Sequence, residues 1–431
     1  MHVARRTYVL VMLIAVLAVI GIWSQQGALA GLWRFPAALL LLGLALEGAF
    51  VRRLLPGVQL RIAPRAYLGR ALEAAVVFTN ARRRPLTLEY ACAAPAGVEA
   101  PVATRRVHIP PQGSATDTLP LLPVRLGPQQ WPALPARLRG PLALAWWSCV
   151  LSPAARFSVA PDVLRGRARV RGFAGGARPR RGPGAGQELY QLRGYLRGDP
   201  LGRIDWKATA RSGALMTREY SEDQHLDIVV LIDAGRLSRV RCGALDRFAL
   251  YGNIAASFAE LVAHNDDRIG VVVYADEVLG TCMPERGLGA VVRLRALLEQ
   301  LVVRPAESDP VAAAMAVRRM LRHRALVVVL TDLDDLSVAD ALARAVRVLA
   351  PPHLVLVAGV HTAELEQLAR APARAWQAPW VALAASEHLA RAAARREVLQ
   401  RLGAPLVAAP PERLQEELFA RYQQLRQSRR V

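Results

Sequence analysis

Two apolar stretches that end in carboxylates decide the fold: DIVVLIDAG at residues 227–235 and ALVVVLTDLDD at residues 325–335. Each contains a continuous apolar run, which is typical of a strand buried on both faces of a parallel sheet. Further strands are predicted in RIGVVVYAD (268–276), EVLGTCMPE (277–285, at the sheet edge), HLVLVAGV (353–360) and APLVAAP (404–410), with helical periodicity at 245–263, 288–301, 311–321 and 338–349. This alternation predicts an α/β domain over residues 226–431, with helices on both faces of a mostly parallel sheet.

The predicted strand ends place two carboxylates together, because ligands of such sheets bind beyond the carboxyl ends of the strands. Asp233 and Asp332 both fall there. The arrangement resembles a von Willebrand factor A (Rossmann-like) domain, and such domains often hold magnesium with hydroxyl and carboxylate oxygens, the ligands that this hard cation prefers.

The usual Asp-x-Ser-x-Ser motif is degenerate here. Gly235 and Leu237 replace the two serines, and Ser238 is one position out of register. Ser308 can match the threonine position and Asp332 the last aspartate, so Asp233, Ser308 and Asp332 form the candidate metal site. The alternative is that these carboxylates cap helices or pair with arginine. We expect no cofactor apart from this possible magnesium ion.

The segment before the first strand is dense in charged and aromatic residues: GQELYQLRGYLRGDPLGRIDWKATARSGALMTREYSEDQHL over residues 186–226. It resembles the signature of the domain of unknown function 58 family, and the layout of the whole chain fits that family. We call residues 187–225 the signature segment. Its candidate interaction residues are Arg193, Tyr195, Gly198, Asp199, Arg203, Asp205, Trp206, Arg211 and Arg218. They could form a structural lattice of ion pairs, a docking face or an anion site. A docking face is an alternative because arginine and aromatic residues dominate interface hot spots.

Two apolar stretches near the N-terminus predict a transmembrane hairpin over residues 1–55. Thr7 to Trp23 carries no charge, and residues 35–51 are apolar apart from Glu47. Each approaches the roughly 20 residues that a bilayer core requires. Arginines precede the first span and follow the second, so the positive-inside rule predicts that both termini and the soluble domains are cytoplasmic in a prokaryotic inner (plasma) membrane. Glu47 is expected near the headgroups or in a contact between the helices.

Residues 56–163 alternate short apolar runs with proline- and glycine-rich turns, which predicts an antiparallel β-sandwich. Trp146 and Trp147 are adjacent on a strand, so we expect one in the core and the other at the surface. Residues 164–186, rich in glycine, proline and arginine, are predicted to be a flexible basic linker, because they cannot bury enough apolar surface to fold alone.

The formal charge of +21 suggests an anionic partner. Almost all of it is arginine spread over every segment, with Lys207 as the single lysine, which favours a compositional bias over a specific nucleic-acid site. The four cysteines lack ligand spacing and are expected to be reduced. No HExxH, Walker A, G-x-S-x-G or Rossmann glycine motif occurs, so we expect no enzyme, no catalytic residues and no small-molecule ligand.

The family resemblance implies a membrane-anchored interaction or scaffold protein. Members of that family are commonly linked with MoxR-type AAA+ ATPases, so it implies such an ATPase as partner in assembling or maturing other proteins. The alternative is a membrane-tethered binder of nucleic acid or anionic lipid that uses the basic linker and surface.

Overall fold

The computed structural model describes residues 2–23, 31–51, 53–162, 181–184, 188–223, 225–333, 339–361 and 363–427. The chain divides into two compact units, Met1–Val159 and Ala160–Val431. The first contains the N-terminal helices and the antiparallel sheets, and the second contains the signature segment and the α/β domain. This division falls close to the predicted end of the β-domain.

Two N-terminal helices are long and apolar enough to cross a membrane: α1, Arg5–Trp23, and α2, Arg34–Val51. Most of their side chains are exposed, as expected for helices whose apolar surface faces lipid. Arg52, one of the residues used to predict the orientation, lies outside the described residues, as do residues 24–30.

Glu47 binds the backbone of the β-domain, a contact that the sequence did not predict, and its expected place near the headgroups stays a prediction. Glu47 is only 1% exposed. Its Oε1 accepts hydrogen bonds from the backbone N–H groups of Leu142 (3.0 Å) and Leu144 (3.3 Å), and its Oε2 accepts one from Ala145 (3.0 Å). The carboxylate therefore ties α2 to a loop of the β-domain, because buried backbone amides need acceptors.

The strands of the first unit are short and pair antiparallel. In chain order they are β1 His2–Val3, β2 Gly57–Arg61, β3 Arg65–Tyr67, β4 Leu72–Thr79, β5 Leu86–Ala91, β6 Val98–Glu99, β7 Thr104–Ile109, β8 Ser114–Pro123, β9 Gly127–Gln130, β10 Leu134–Arg139, β11 Ala145–Leu151 and β12 Arg156–Ala160. They form sheets in the orders β1-β11-β10-β5-β7, β2-β4-β8-β6 and β3-β12-β9. The pairings of the first two sheets are antiparallel.

Alternating burial builds the core of this unit. Val76 and Phe78 of β4 and Leu88 and Tyr90 of β5 are fully buried, because side chains two apart share a face of the sheet. The rings of Phe78 and Tyr90 lie 5.2 Å apart and join the five-stranded sheet to the four-stranded one. The antiparallel strands agree with the sequence, and the sandwich arrangement of the sheets stays a prediction.

The two adjacent tryptophans differ from expectation, because both are half-buried and neither lies in the core. The guanidinium groups of Arg106 and Arg137 lie 5.6 and 5.7 Å from the ring centroid of Trp146. Trp147 packs against Gly48 of α2, where a Cβ atom would collide with the indole ring. Helix α2 therefore covers the side of β11 that carries Trp147, a contact that the sequence did not predict.

The linker prediction is partly wrong. Arg181–Gly184 forms a strand, β13, that pairs antiparallel with β15, Met216–Asp223. The other neighbour of β15 is β14, Glu188–Gly194, so the order is β13-β15-β14. Backbone pairing needs no apolar side chain, which explains why a glycine- and proline-rich stretch can form a strand. Residues 163–180 and 185–187 of the predicted linker lie outside the described residues.

The α/β domain is built on a six-stranded sheet in the order β20-β19-β16-β21-β22-β23. Its strands are β16 Asp227–Asp233, β19 Arg268–Tyr274, β20 Val278–Arg286, β21 Ala325–Leu330, β22 Leu354–Val360 and β23 Leu406–Ala409, and a small hairpin comprises β17 Arg241–Cys242 and β18 Leu245–Asp246. All pairings in the six-stranded sheet are parallel except that of β20, the edge strand. The sequence prediction of a mostly parallel sheet is confirmed.

Helices cover both faces of this sheet. The helices of the α/β domain are α4 Arg247–His264, α5 Gly287–Gln300, α6 Pro310–Met320, α7 Ala339–Leu349, α8 Ala363–Arg370, α9 Ala378–Arg401 and α10 Leu414–Gln427, whereas α3, Trp206–Ser212, contacts β15 in the signature segment. Val229 and Leu231 of β16 pack with α6 and α7 in one buried cluster. The alternate residues of β16 face the opposite side.

Candidate functional site

The two predicted carboxylates do end neighbouring strands, since β16 pairs in parallel with β21 in the middle of the sheet. Asp233 is the last residue of β16, and Asp332 follows β21 by two residues. Both line one small cavity with Ser308 and Thr331, with Arg236, Leu237 and Glu307 completing the lining. The cavity volume is about 10 Å³, roughly the room that a single water requires.

Asp233 is 6% exposed, and both oxygens of its carboxylate accept hydrogen bonds from the protein. Its Oδ1 accepts hydrogen bonds from the Ser308 hydroxyl (2.5 Å) and the Gly235 backbone N–H (2.9 Å). Its Oδ2 accepts one from the Thr331 hydroxyl at 2.9 Å. Ser238 does not join them, because its hydroxyl donates to the backbone carbonyl of Asp233 at 2.8 Å. The structure thus brings Asp233 and Ser308 together as predicted.

Asp332 has a different partner. Its Oδ2 contacts Nη1 of Arg247, the first residue of α4, in an ion pair whose side chains are 9% and 11% exposed. The alternative that the sequence left open, pairing of a strand-end carboxylate with arginine, is therefore realised at Asp332. One turn further along α4, the Tyr251 hydroxyl donates to the Thr331 carbonyl at 2.9 Å, so two side chains of this helix hold the loop after β21.

Burial raises the pKa values of two tyrosine side chains near the site, Tyr274 and Tyr251. Burial raises the pKa of Tyr274, the last residue of β19, well above its ordinary value, and the Asp233 carboxylate adds to the shift. Burial also raises the pKa of Tyr251 beyond its ordinary range. Both side chains are therefore neutral at physiological pH and contribute no charge to the site.

The donor set around Asp233 fits a divalent cation poorly. Magnesium requires near-octahedral oxygen ligands, but the motif serines are replaced by Gly235 and Leu237, and both oxygens of Asp233 already accept hydrogen bonds. A Cβ atom at Gly235 would collide with the Ser308 hydroxyl. No cluster of three or more His, Cys, Asp or Glu side chains suited to a metal occurs within the described ranges. Arg247 places a positive charge against Asp332 in the same site.

Sequence reasoning missed Arg247, Thr331 and Tyr251. Thr331 stands directly before Asp332 and could have been proposed from its place at the strand end. Arg247 and Tyr251 lie more than 80 positions from Asp332 in the chain, and their spacing of four on a helix carries no signal that points to that loop.

The signature segment contains a second set of ion pairs. The Arg193 guanidinium contacts Asp199 through two parallel hydrogen bonds (Nη1–Oδ2 2.8 Å, Nη2–Oδ1 2.9 Å), and its Nε lies 3.2 Å from Glu219. These bonds lower the pKa of Asp199 below its usual range, helped by the Leu196 N–H. Gly198, with a φ of +110°, makes the turn that returns Asp199 to Arg193.

The other pair joins Asp205 to Arg218 at 2.9 Å. Asp205 also caps α3, because its Oδ1 accepts hydrogen bonds from the Lys207 and Ala208 N–H groups, each at 3.0 Å. The hydrogen bond from Arg218, followed by that from the Ala208 N–H, lowers the pKa of Asp205. The predicted lattice of ion pairs thus exists in this segment, and it fixes both the turn and the helix.

The remaining candidate residues are at the surface. Trp206 is 68% exposed and Arg211 is exposed, while Tyr195 and Arg203 are half-buried. Further apolar side chains of the segment are also exposed: Leu189, Leu192, Leu196, Leu201 and Leu215. Arg197 and Arg211 form no ion pair with any residue that the structure describes. The segment therefore combines a fixed backbone with exposed aromatic, apolar and cationic side chains.

The mostly parallel sheet, with a carboxylate at the end of each of two adjacent central strands, places this chain among α/β proteins with a strand-end site. Within it, residues 191–371 match the model of the family described as Protein of unknown function DUF58. The resemblance inferred from the signature segment is thereby confirmed over those residues.

Among solved structures, the chain is similar to the conserved hypothetical protein BatB from Bacteroides thetaiotaomicron (12% identity, 46% of this chain and 99% of that chain, TM-score 0.29). It is also similar to the SpRpn10 VWA domain (13% identity, 45% of this chain and 94% of that chain, TM-score 0.26). A third similar structure is Salmonella alpha-2-macroglobulin (19% identity, 25% of this chain and 7% of that chain, TM-score 0.19). The chain thus covers only a small part of the last protein. No curated protein matches this chain.

Proposed function

We propose that this chain is a membrane-anchored interaction protein that docks a MoxR-type AAA+ ATPase through the signature segment. The observation that carries the proposal is the exposure of Trp206, Leu201 and Leu196 on a segment held by two arginine–carboxylate pairs. Tryptophan and arginine dominate interface hot spots, and a preformed surface loses little conformational entropy on binding. The choice of ATPase rests on the family resemblance.

Two exposed arginines of the segment can pair with acidic groups of a partner. Arg193 and Arg218 are neutralised by carboxylates of the segment itself. Arg197 and Arg211 are exposed cations that can pair across an interface. Charged groups at the rim of an interface chiefly increase the association rate and the specificity, while the exposed tryptophan supplies the buried contact.

The anchor completes the proposal. We place α1 and α2 across a prokaryotic inner membrane with both termini and both soluble parts in the cytoplasm, since Arg5 and Arg6 precede the first helix and Arg53 follows the second. An ATPase of the cytosol then meets the α/β domain at the membrane. The proposal includes no chemical step, and the strand-end site serves to hold the sheet edge together.

The test is a binding measurement between the full-length chain in detergent and the purified ATPase, with nucleotide and magnesium. Trp206→Ala should weaken binding about 30-fold, the usual effect of a hot-spot truncation of about 2 kcal/mol. Trp380→Ala is the matched control, because Trp380 is equally exposed (68%) but lies on α9. Equal affinities of the two variants, or no binding by the wild-type chain, would contradict the proposal.

The same measurement distinguishes docking of an ATPase from the alternative function, binding of nucleic acid. Binding of nucleic acid through the basic residues 164–186 would weaken steeply as salt increases, because each phosphate contact releases counterions. It would also be indifferent to Trp206→Ala. Docking of a protein through apolar and aromatic contacts depends far less on salt.

A further inference from the structure

A cavity of about 560 Å³ in the first unit is lined by three arginines and two apolar side chains. Arg5, Arg6, Val9 and Leu10 come from the first two turns of α1, and Arg139 is the last residue of β10. No acidic side chain occurs in this lining. Three guanidinium groups without a carboxylate leave a strongly positive site at the start of a membrane-crossing helix.

The contrast between Arg137 and Arg139 shows that the site lacks an acceptor. Both lie on the same face of β10, two residues apart. Arg137 Nε contacts Glu89 at 2.5 Å and the side chain stacks on Trp146. Arg139 Nε is fully buried, yet it has no hydrogen-bond partner among the described residues. Arg139 also has no ion pair with a described carboxylate of the kind that Arg137 makes, so an anion in the cavity that it lines would supply the missing negative charge.

The cavity is held in place by the β-domain. β1 pairs with β11 directly before α1, and the Ala4 N–H donates to the Leu144 carbonyl at 2.9 Å. The Thr7 hydroxyl contacts the same carbonyl, and Glu47 of α2 binds the amide groups of that loop. Arg5 and Arg6 therefore start from a fixed backbone beside Arg139, which reduces the entropy lost on binding.

We propose that this cavity binds the phosphate of an anionic phospholipid, with the guanidinium groups of Arg5, Arg6 and Arg139 around the phosphate. Planar guanidinium groups match phosphate oxygens with paired hydrogen bonds. Val9 and Leu10 are exposed on the apolar surface of α1, where an acyl chain can lie against them. The volume is in the range of ordinary ligand sites. This inference rests on the membrane anchoring included in the proposed function, and the site is separate from residues 164–186.

A lipid rather than a soluble anion is favoured by this arrangement of charge and apolar surface. Beyond Leu10, α1 continues for more than three turns without a charged residue. An inorganic phosphate would use the arginines but leave Val9 and Leu10 uncovered. A phospholipid covers both parts at once, because its headgroup lies at the depth where the basic residues flank the apolar helix.

The experiment measures retention of phosphatidylglycerol by the full-length chain in neutral detergent, by native mass spectrometry. Arg139→Gln should weaken binding about tenfold, because it removes a charge-assisted hydrogen bond to the phosphate. Arg61→Gln is the control: it removes the same charge from an exposed position on β2. Arg139→Lys, which keeps the charge but not the planar fork, should bind with intermediate affinity, and thermal unfolding checks that each variant folds.

Equal weakening by Arg61→Gln would show that only net charge matters and would overturn the site. Full displacement by inorganic phosphate, or equal binding of phosphatidylcholine, would overturn a headgroup-specific lipid site. Flotation with liposomes after an alkaline wash tests the anchor separately. A chain that fails to float removes the anchoring proposal, whereas a chain that floats but is insensitive to Arg139→Gln removes the lipid site alone.

Discussion

The strand-end site and the signature segment both pair arginines with carboxylates, but they expose these pairs differently. In the strand-end site, Arg247 and Asp332 are about nine-tenths buried. In the signature segment, the side chains of Arg193 and Arg218 are 30% and 45% exposed. A buried pair fixes the protein's own architecture, because breaking it leaves a charge without solvent. Exposed pairs contribute little energy, so those of the signature segment chiefly shape a surface.

The largest effect expected from this difference is in stability. Arg247→Ala should lower the free energy of unfolding by about 3–5 kcal/mol, because it removes the cation from a buried ion pair. Arg304→Ala, which removes exposed pairs with Glu277 and Asp276, should cost less than about 1 kcal/mol. Hydrogen exchange of the Ala325–Leu330 amides in the full chain measures both. Similar effects of the two substitutions would show that burial does not distinguish these ion pairs.

A smaller effect is expected from pH in the signature segment. The pKa values of Asp199 and Asp205 are lowered mainly by hydrogen bonds from Arg193 and Arg218. Their contribution to stability is therefore complete above the ordinary aspartate pKa of about 3.9 and is lost as the pH falls through the lower folded values. The fluorine signal of a labelled Trp206 should thus stay constant from neutral pH down to about pH 4.

Arg193→Gln sharpens that measurement. Without the guanidinium, the pKa of Asp199 should rise toward its ordinary value, so the transition of the Trp206 signal should move to higher pH. Gln191, whose amide is bonded to Glu219 at 2.7 Å, offers the control substitution Gln191→Ala, which leaves the Arg193–Asp199 pair intact. If the pH midpoint of the Trp206 signal is the same in Arg193→Gln as in the wild-type chain, the Arg193–Asp199 pair does not hold the segment.

The smallest expected effect is that of magnesium. The strand-end site carries its own cation, so titration of magnesium into the full chain should give no saturable heat, and a chelator should not change the unfolding temperature. Asp233→Ala and the surface substitution Asp276→Ala should behave alike in this titration. Saturable binding that Asp233→Ala abolishes and Asp276→Ala preserves would show that the degenerate motif still holds a metal.

Much of the fold could be predicted because it depends on local patterns. The buried run of Asp227–Asp233 and the helical periodicity of 245–263 are properties of neighbouring residues, and hydrophobic periodicity reports them directly. The short strand Arg181–Gly184 was missed because its pairing depends on backbone partners about 40 residues away, in β15. The half-buried tryptophans were misjudged because the first unit uses α2 to cover one of them.

The sequence alone determined the alternation of strands and helices, the two apolar helices, the signature segment and the position of Asp233 and Asp332 at the ends of strands. Each follows from periodicity or from residues close together in the chain. Only the tertiary structure decided what those carboxylates bind: Asp233 accepts from Ser308 and Thr331, whereas Asp332 pairs with Arg247. Charge pairing depends on distances of a few ångströms between residues far apart in sequence, and packing of the helices on the sheet sets those distances.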